Sequence, residues 1–132
     1  MAEIGLQPGK TFQYKPEELY IVRRNINTLC TVAAAEGTKV CLTTMPVSRT
    51  RNFGEEHAQV YRPHAEQVNG IIREIAHERN TLLADLDAAM TGQEQYFRDP
   101  VHTTAEGDHE MARRIADVLL RDMGHPEAAS NT

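Results

Sequence analysis

The chain has 132 residues, a length suited to one domain, and 40% of them are hydrophobic although only 5% are aromatic and none is Trp. The formal net charge of -5 argues against a nucleic-acid binder, which needs a basic surface to neutralise phosphates. No apolar stretch approaches the roughly 20 residues that span a bilayer, and the N-terminus MAEIGLQPGK lacks a charged-then-apolar signal pattern, so a cytoplasmic protein is expected.

Residues 1–14 show no period and contain the Pro8-Gly9 turn, which reads as an N-terminal arm ahead of a single domain over 15–124. Pro16 then opens a helix, since a first-turn proline loses no hydrogen bond, and Glu17 and Glu18 suit the positive end of the helix dipole. Leu19, Val22, Ile26, Leu29 and Ala33 recur at helical spacing, and Gly37 is placed to end the helix. The short apolar and β-branched run Lys39–Thr44 reads as a buried strand of a parallel sheet, followed by a loop over 46–56. A second helix is expected from His57 or Tyr61 to Arg79, with a stripe of Val60, His64, Val68, Ile71, Ile72 and Ile75. Pro63 should fall in its first turn or else kink it. Thr81–Leu86 is the second strand, and 87–101 reads as a functional loop. The third helix follows His102, with Thr103-x-x-Glu106 fitting a capping box. Met111, Ile115, Val118 and Leu119 form its buried stripe, Gly124 and Pro126 stop it, and 125–132 is expected to be a flexible tail. Helix, strand, helix, strand, helix is an α/β alternation, with parallel strands and helices on the sheet faces.

Cys30 and Cys41 form no C-x-x-C pair and each sits in an apolar run, so both read as small buried hydrophobes. His57 and His64 lie seven residues apart. With His102, His109, Asp99 and Asp108 they raise the question of a metal site, but no H-E-x-x-H occurs and no metal or other cofactor is expected. Arg49 and Arg51 read as solvated charged surface, anion binding being the alternative.

The most informative stretch is Tyr96-Phe97-Arg98-Asp99-Pro100-Val101-His102, followed by Thr103-Thr104-Ala105-Glu106-Gly107. It sets an Asp and a His three residues apart just before a capped helix. At that spacing a carboxylate can accept from one imidazole nitrogen and fix the tautomer, leaving the other nitrogen to act as a base. A helix-start pair that merely fixes the loop is the alternative. The stretch resembles the last signature block of the SGNH (GDSL-type) hydrolases, a family of esterases, lipases, acetylesterases and thioesterases. Asp99, His102, Thr103 or Thr104, Gly107 and the amphipathic helix MARRIADVLL match that block in order. The upstream helix ending at Gly37, the strand KVCLTTMP, the long helix with Asn69 and the strand TLLADLDAAM agree, so the resemblance covers about residues 16–123. It implies a three-layer αβα, partial flavodoxin-like parallel sheet, with His102 as general base and Asp99 orienting it.

The departures matter as much. Neither the family's Gly-Asp-Ser nucleophile block nor a Gly-x-Asn-Asp occurs, so the resemblance implies loss of three signature blocks and of the first three strands of the sheet. Little or no hydrolase activity is then expected of the chain alone. Ser48, the only serine before the tail, is the one candidate substitute nucleophile. Strand 39–44, interior in the family, would become an edge with unpaired backbone groups. The expected remedy is a homo-oligomer, through pairing of 39–44 with its copy or exchange of the N-terminal arm. A complementary polypeptide bearing Gly-Asp-Ser is the other partner considered.

Overall fold

A computed structural model describes residues 15–51 and 58–124, with backbone alone at 58–61. The elements run α1 (Pro16–Ala35), β1 (Cys41–Thr43), α2 (Ala58–Arg79), β2 (Leu82–Ala84), α3 (Leu86–Met90), a 3-10 turn (Glu94–Tyr96) and α4 (Ala105–Asp122). The arm, the tail, His57 and most of the second half of the 46–56 loop lie outside the described residues.

Helix α1 begins as expected, with Pro16 in its first turn and the Glu18 carboxylate accepting from the Lys15 N–H at 2.8 Å. It ends in a Schellman motif. Gly37, at φ 71°, lets the Thr38 N–H reach the Ala33 carbonyl at 2.8 Å and turns the chain into β1. Helix α2 ends the same way, with Asn80 at φ 54° and the Thr81 N–H on the Ala76 carbonyl, delivering β2. Two helices closed by the same device therefore feed two strands, and these pair in parallel with Cys41 opposite Leu82 and Thr43 opposite Ala84. A parallel pair needs a crossover, which α2 provides.

The strands are shorter than the runs that announced them, because Asp85 leaves the sheet to cap α3 by accepting from the Ala88 N–H, which takes Leu86 out of β2 and into a helix. Helix α2 starts ahead of Pro63, which sits inside the helix rather than in its first turn. Helix α4 is capped one residue later than the sequence suggested. Thr104, not Thr103, accepts the Gly107 N–H, and its own hydroxyl donates to the Gln95 carbonyl. Glu106 is exposed in the first turn.

Helices α1 and α2 pack together on one sheet face, where Cys30, Ile71 and Ile75 are buried with Leu19, Ile26, Val40 and Leu42 against them. Helix α4 covers the other face through Met111, Ile115 and Val118, over Ala84, Leu86, Met90 and Phe97. Alternate residues of β1 divide between the two clusters, as a pleated strand between layers requires. Each fully enclosed apolar side chain here contributes about 1.5–3 kcal/mol. Two stripe residues differ from expectation. Leu29 is 60% exposed, its place in the α1 packing taken by Cys30, and Leu119 of α4 is also exposed. Cys41 is half-buried, and both thiols are free.

Candidate active site

The loops that follow β1 and β2 meet at the C-terminal ends of the strands, where open α/β sheets carry their ligand sites. The second loop is tightly folded. Phe97 and Thr103 form an antiparallel bridge, the Arg98 N–H donates to the His102 carbonyl at 2.9 Å, and the Phe97 ring is buried beneath. Within it, Asp99 Oδ1 accepts from the backbone N–H of Val101 at 2.9 Å and of His102 at 2.7 Å, while Oδ2 lies 2.7 Å from His102 Nδ1. One carboxylate thus shapes the turn and orients the ring. The aspartate side chain is 22% exposed and the imidazole 63%, so the ring stands out from a fixed base. Burial pushes the Asp99 carboxyl upward, but the two backbone donors and the imidazole outweigh it and hold the group below its ordinary value. The sequence-derived pair is therefore brought together in the geometry that lets a carboxylate orient a general base.

Gly107 explains itself sterically. A Cβ there would run into the Tyr96 carbonyl oxygen, so α4 can start close under the loop only with glycine at this point. The Tyr96 carbonyl also accepts the Thr104 N–H at 2.9 Å, and the Thr103 hydroxyl is bonded to Asp108.

Ser48 is buried and held by hydrogen bonds. It is 0% exposed, its hydroxyl donates to Glu94, and its oxygen accepts from the Thr50 and Arg51 N–H groups at 3.2 and 2.8 Å. Its job is to pin the first loop. The Ser48 N–H donates to the Pro100 carbonyl at 3.0 Å, inside the Asp99–His102 loop. Glu94 also accepts the Arg49 N–H at 2.9 Å. Burial raises that carboxyl, while the Ser48, Arg49 and Thr50 donors prevail and lower it. Asn69, buried on α2, clamps the start of the same loop by accepting from the Met45 N–H at 2.7 Å and donating to the Met45 carbonyl at 2.8 Å.

A polar cluster that the sequence did not announce braces this end of the sheet. Arg73 of α2 donates to both Asp85 oxygens at 2.8 Å and to Asp87 at 2.7 Å, and the Thr44 hydroxyl donates to Asp85 and accepts the Asp87 N–H. The guanidinium beside Asp85 holds its carboxyl down at about 2, against the opposing pull of burial. The only sequence trace of this cluster is the Asp-x-Asp directly after the strand. Among the described residues no three His, Cys, Asp or Glu side chains gather as a metal set. His64 is half-buried on α2, and His109 lies exposed on α4. No helix among them is long and apolar enough to cross a membrane.

No protein-family model and no curated protein matches the sequence. Solved structures do. A GDSL-like lipase from Bacteroides thetaiotaomicron superposes with a TM-score of 0.66 at 22% identity, over 79% of this chain and 53% of that one. A protein assigned as an acylhydrolase, from Bacteroides fragilis, gives a TM-score of 0.60 at 21% identity, over 80% of this chain and 51% of that one. The chain thus spans about half the length of the structures it matches. At this identity the likeness establishes the fold, and the chain has the partial α/β, SGNH/GDSL-like fold that the sequence resemblance implied.

Proposed function

We propose that this chain carries the histidine–aspartate half of an SGNH-type ester hydrolase site, with His102 as general base and Asp99 as the carboxylate that orients it, and that alone it turns over esters little or not at all. The 2.7 Å contact between Asp99 Oδ2 and His102 Nδ1 carries this reading. A base of this kind needs a hydroxyl to activate and donors to stabilise the developing negative charge. Neither Gly-Asp-Ser nor Gly-x-Asn-Asp is present to supply them, and the buried Ser48 hydroxyl is already engaged by Glu94. The test is turnover of p-nitrophenyl acetate by the purified chain beside His102→Ala. Equal rates near the buffer background are expected. A rate well above background that disappears in His102→Ala would replace this reading with that of a working hydrolase, its nucleophile supplied by a partner, and loss of such a rate in Ser48→Ala would point back to Ser48.

A partner is favoured by the outer face of α1, where Ile21, Leu29 and Val32 are all exposed, and by β1, whose only strand neighbour among the described residues is β2. The occupant we favour is a second copy, through strand 39–44 or exchange of the N-terminal arm. A polypeptide bearing the Gly-Asp-Ser block is the alternative, and a cytoplasmic setting suits the two free thiols. Sedimentation of the chain by itself tests the copy. A concentration-dependent dimer supports it, and a single monomer mass at all concentrations removes it.

A further inference from the structure

Two cavities merit comparison. At the N-terminal ends of the strands, one of about 380 Å³ is lined by Lys39 and Arg79 among others, but both cations are engaged, Lys39 by Asp122 at 2.7 Å and Arg79 by Asn27 and Thr31. At the opposite end, a cavity of about 110 Å³ is bordered by Arg49, Arg62, Glu66, Asp87 and Thr91. Here the cations are not matched. Arg62 Nε donates to the Ser48 carbonyl at 2.8 Å, which fixes the guanidinium, while its Nη2 is buried with no hydrogen-bond partner among the described residues. Arg49 lies across Gly92, where a Cβ would meet its Cδ and Nε at 3.0 Å, and no ion pair among the described residues engages it.

The acids of the same cavity do not supply the missing acceptor. Asp87 is held by Arg73 at 2.7 Å and by the Thr91 hydroxyl at 2.5 Å. Glu66, one turn along α2 from Arg62, is exposed and pairs with neither guanidinium among the described residues. A buried guanidinium N–H without an acceptor is costly unless a ligand brings one. With Nε spent on Ser48, the Nη1–Nη2 edge remains as a two-pronged donor, the shape that meets both oxygens of a carboxylate. The volume is on the order of a few water molecules, enough for such a group and not for a whole ligand. The location is also informative. Ser48, which accepts from Arg62, donates through its N–H to the Pro100 carbonyl at 3.0 Å, so two hydrogen bonds separate Arg62 from the loop bearing Asp99 and His102.

We propose that Arg62 and Arg49 form a carboxylate-binding subsite beside the His102 loop. The site stands whether or not His102 acts on an ester. If it does, the substrate is an ester that also carries an acid group.

The test reads binding, not turnover. The full chain, labelled with nitrogen-15, is titrated with sodium acetate and separately with sodium phosphate, with chloride exchanged to keep ionic strength constant, and the arginine Nε–Hε signals are followed by NMR. Saturable shifts of the Arg62 and Arg49 signals in acetate are expected. Arg49→Gln, which removes no side-chain hydrogen bond or ion pair made among the described residues, should weaken acetate binding at least fivefold and Arg62→Lys about tenfold, while Arg24→Gln on α1 should leave it unchanged. Shifts that grow linearly with acetate, or equal binding by Arg49→Gln and the parent chain, would overturn the subsite. Saturation by phosphate without saturation by acetate would overturn its assignment to a carboxylate.

Discussion

On the β2 side of the sheet, Phe97, Met90 and Leu86 are shut away beneath α4, whereas on the α1 side Leu29 and Val32 stand 60% and 58% exposed on a helix with one fully buried residue, Cys30. The two sides draw on similar residue types and similar helical spacing. What separates them is the opposing layer. Around Phe97 the chain supplies α3, the 3-10 turn and the start of α4 within a short span, so each apolar group finds a surface to meet. Around Leu29 no described element lies opposite, and an apolar side chain without a facing surface removes little area from water. The candidate base sits on the closed side, where its loop is tied by the Phe97–Thr103 bridge and the Asp99 carboxylate. The open side is the one we propose a partner covers.

The largest expected effect is on the closed side. Phe97→Ala should cost about 3–5 kcal/mol in urea unfolding. A loss below about 1 kcal/mol would mean that this side is no better packed than the other. Gly107→Ala should follow at about 1–3 kcal/mol, because its Cβ is driven onto the Tyr96 carbonyl. Elsewhere in a helix the same change stabilises by up to about 1 kcal/mol, so the sign alone decides the matter. Arg73→Ala should cost about 1–2 kcal/mol, the charge-assisted bonds being partly exposed. Since Asp85 titrates in the folded chain at about 2, below its ordinary 3.8, its contribution is full above 3.8 and fades as pH falls through about 2. Acid titration of stability between pH 4 and 2 should therefore be shallower in Arg73→Ala than in the parent, and parallel curves would remove the role assigned to the pair. The smallest effect belongs to the open side. Leu29→Ala and Val32→Ala should change the stability of dilute protein by no more than about 0.5 kcal/mol. If their cost rises with protein concentration, the face is covered by association.

Much of this arrangement could be read in advance. The order of the long elements and the adjacency of the two strands follow from periodic runs. Asp99 and His102 are legible because the three-residue spacing that joins them is local. The misreadings share a cause in contacts between distant segments. Helix α3 is five residues long, too short to show a period, and its cap Asp85 is gripped by Arg73 from α2. With two adjacent threonines before α4, the cap goes to Thr104 because its hydroxyl can also donate to Gln95 across the loop. Ser48 stands in a polar loop sequence and looks solvated, yet its partner is Glu94, 46 residues away. Leu29 fits the stripe of α1 as well as Cys30 does, and only packing against α2 and the strands chooses between them.

Asn69 has a consequence for how this region could be observed. By accepting from the Met45 N–H and donating to the Met45 carbonyl, a helix side chain imitates one rung of a neighbouring strand. The Met45 amide, although its side chain is exposed, should then exchange slowly with deuterated solvent. Its protection factor would report on how firmly α2 holds the loop whose Ser48 N–H bonds to Pro100, one amide serving as a gauge for the floor beneath the histidine.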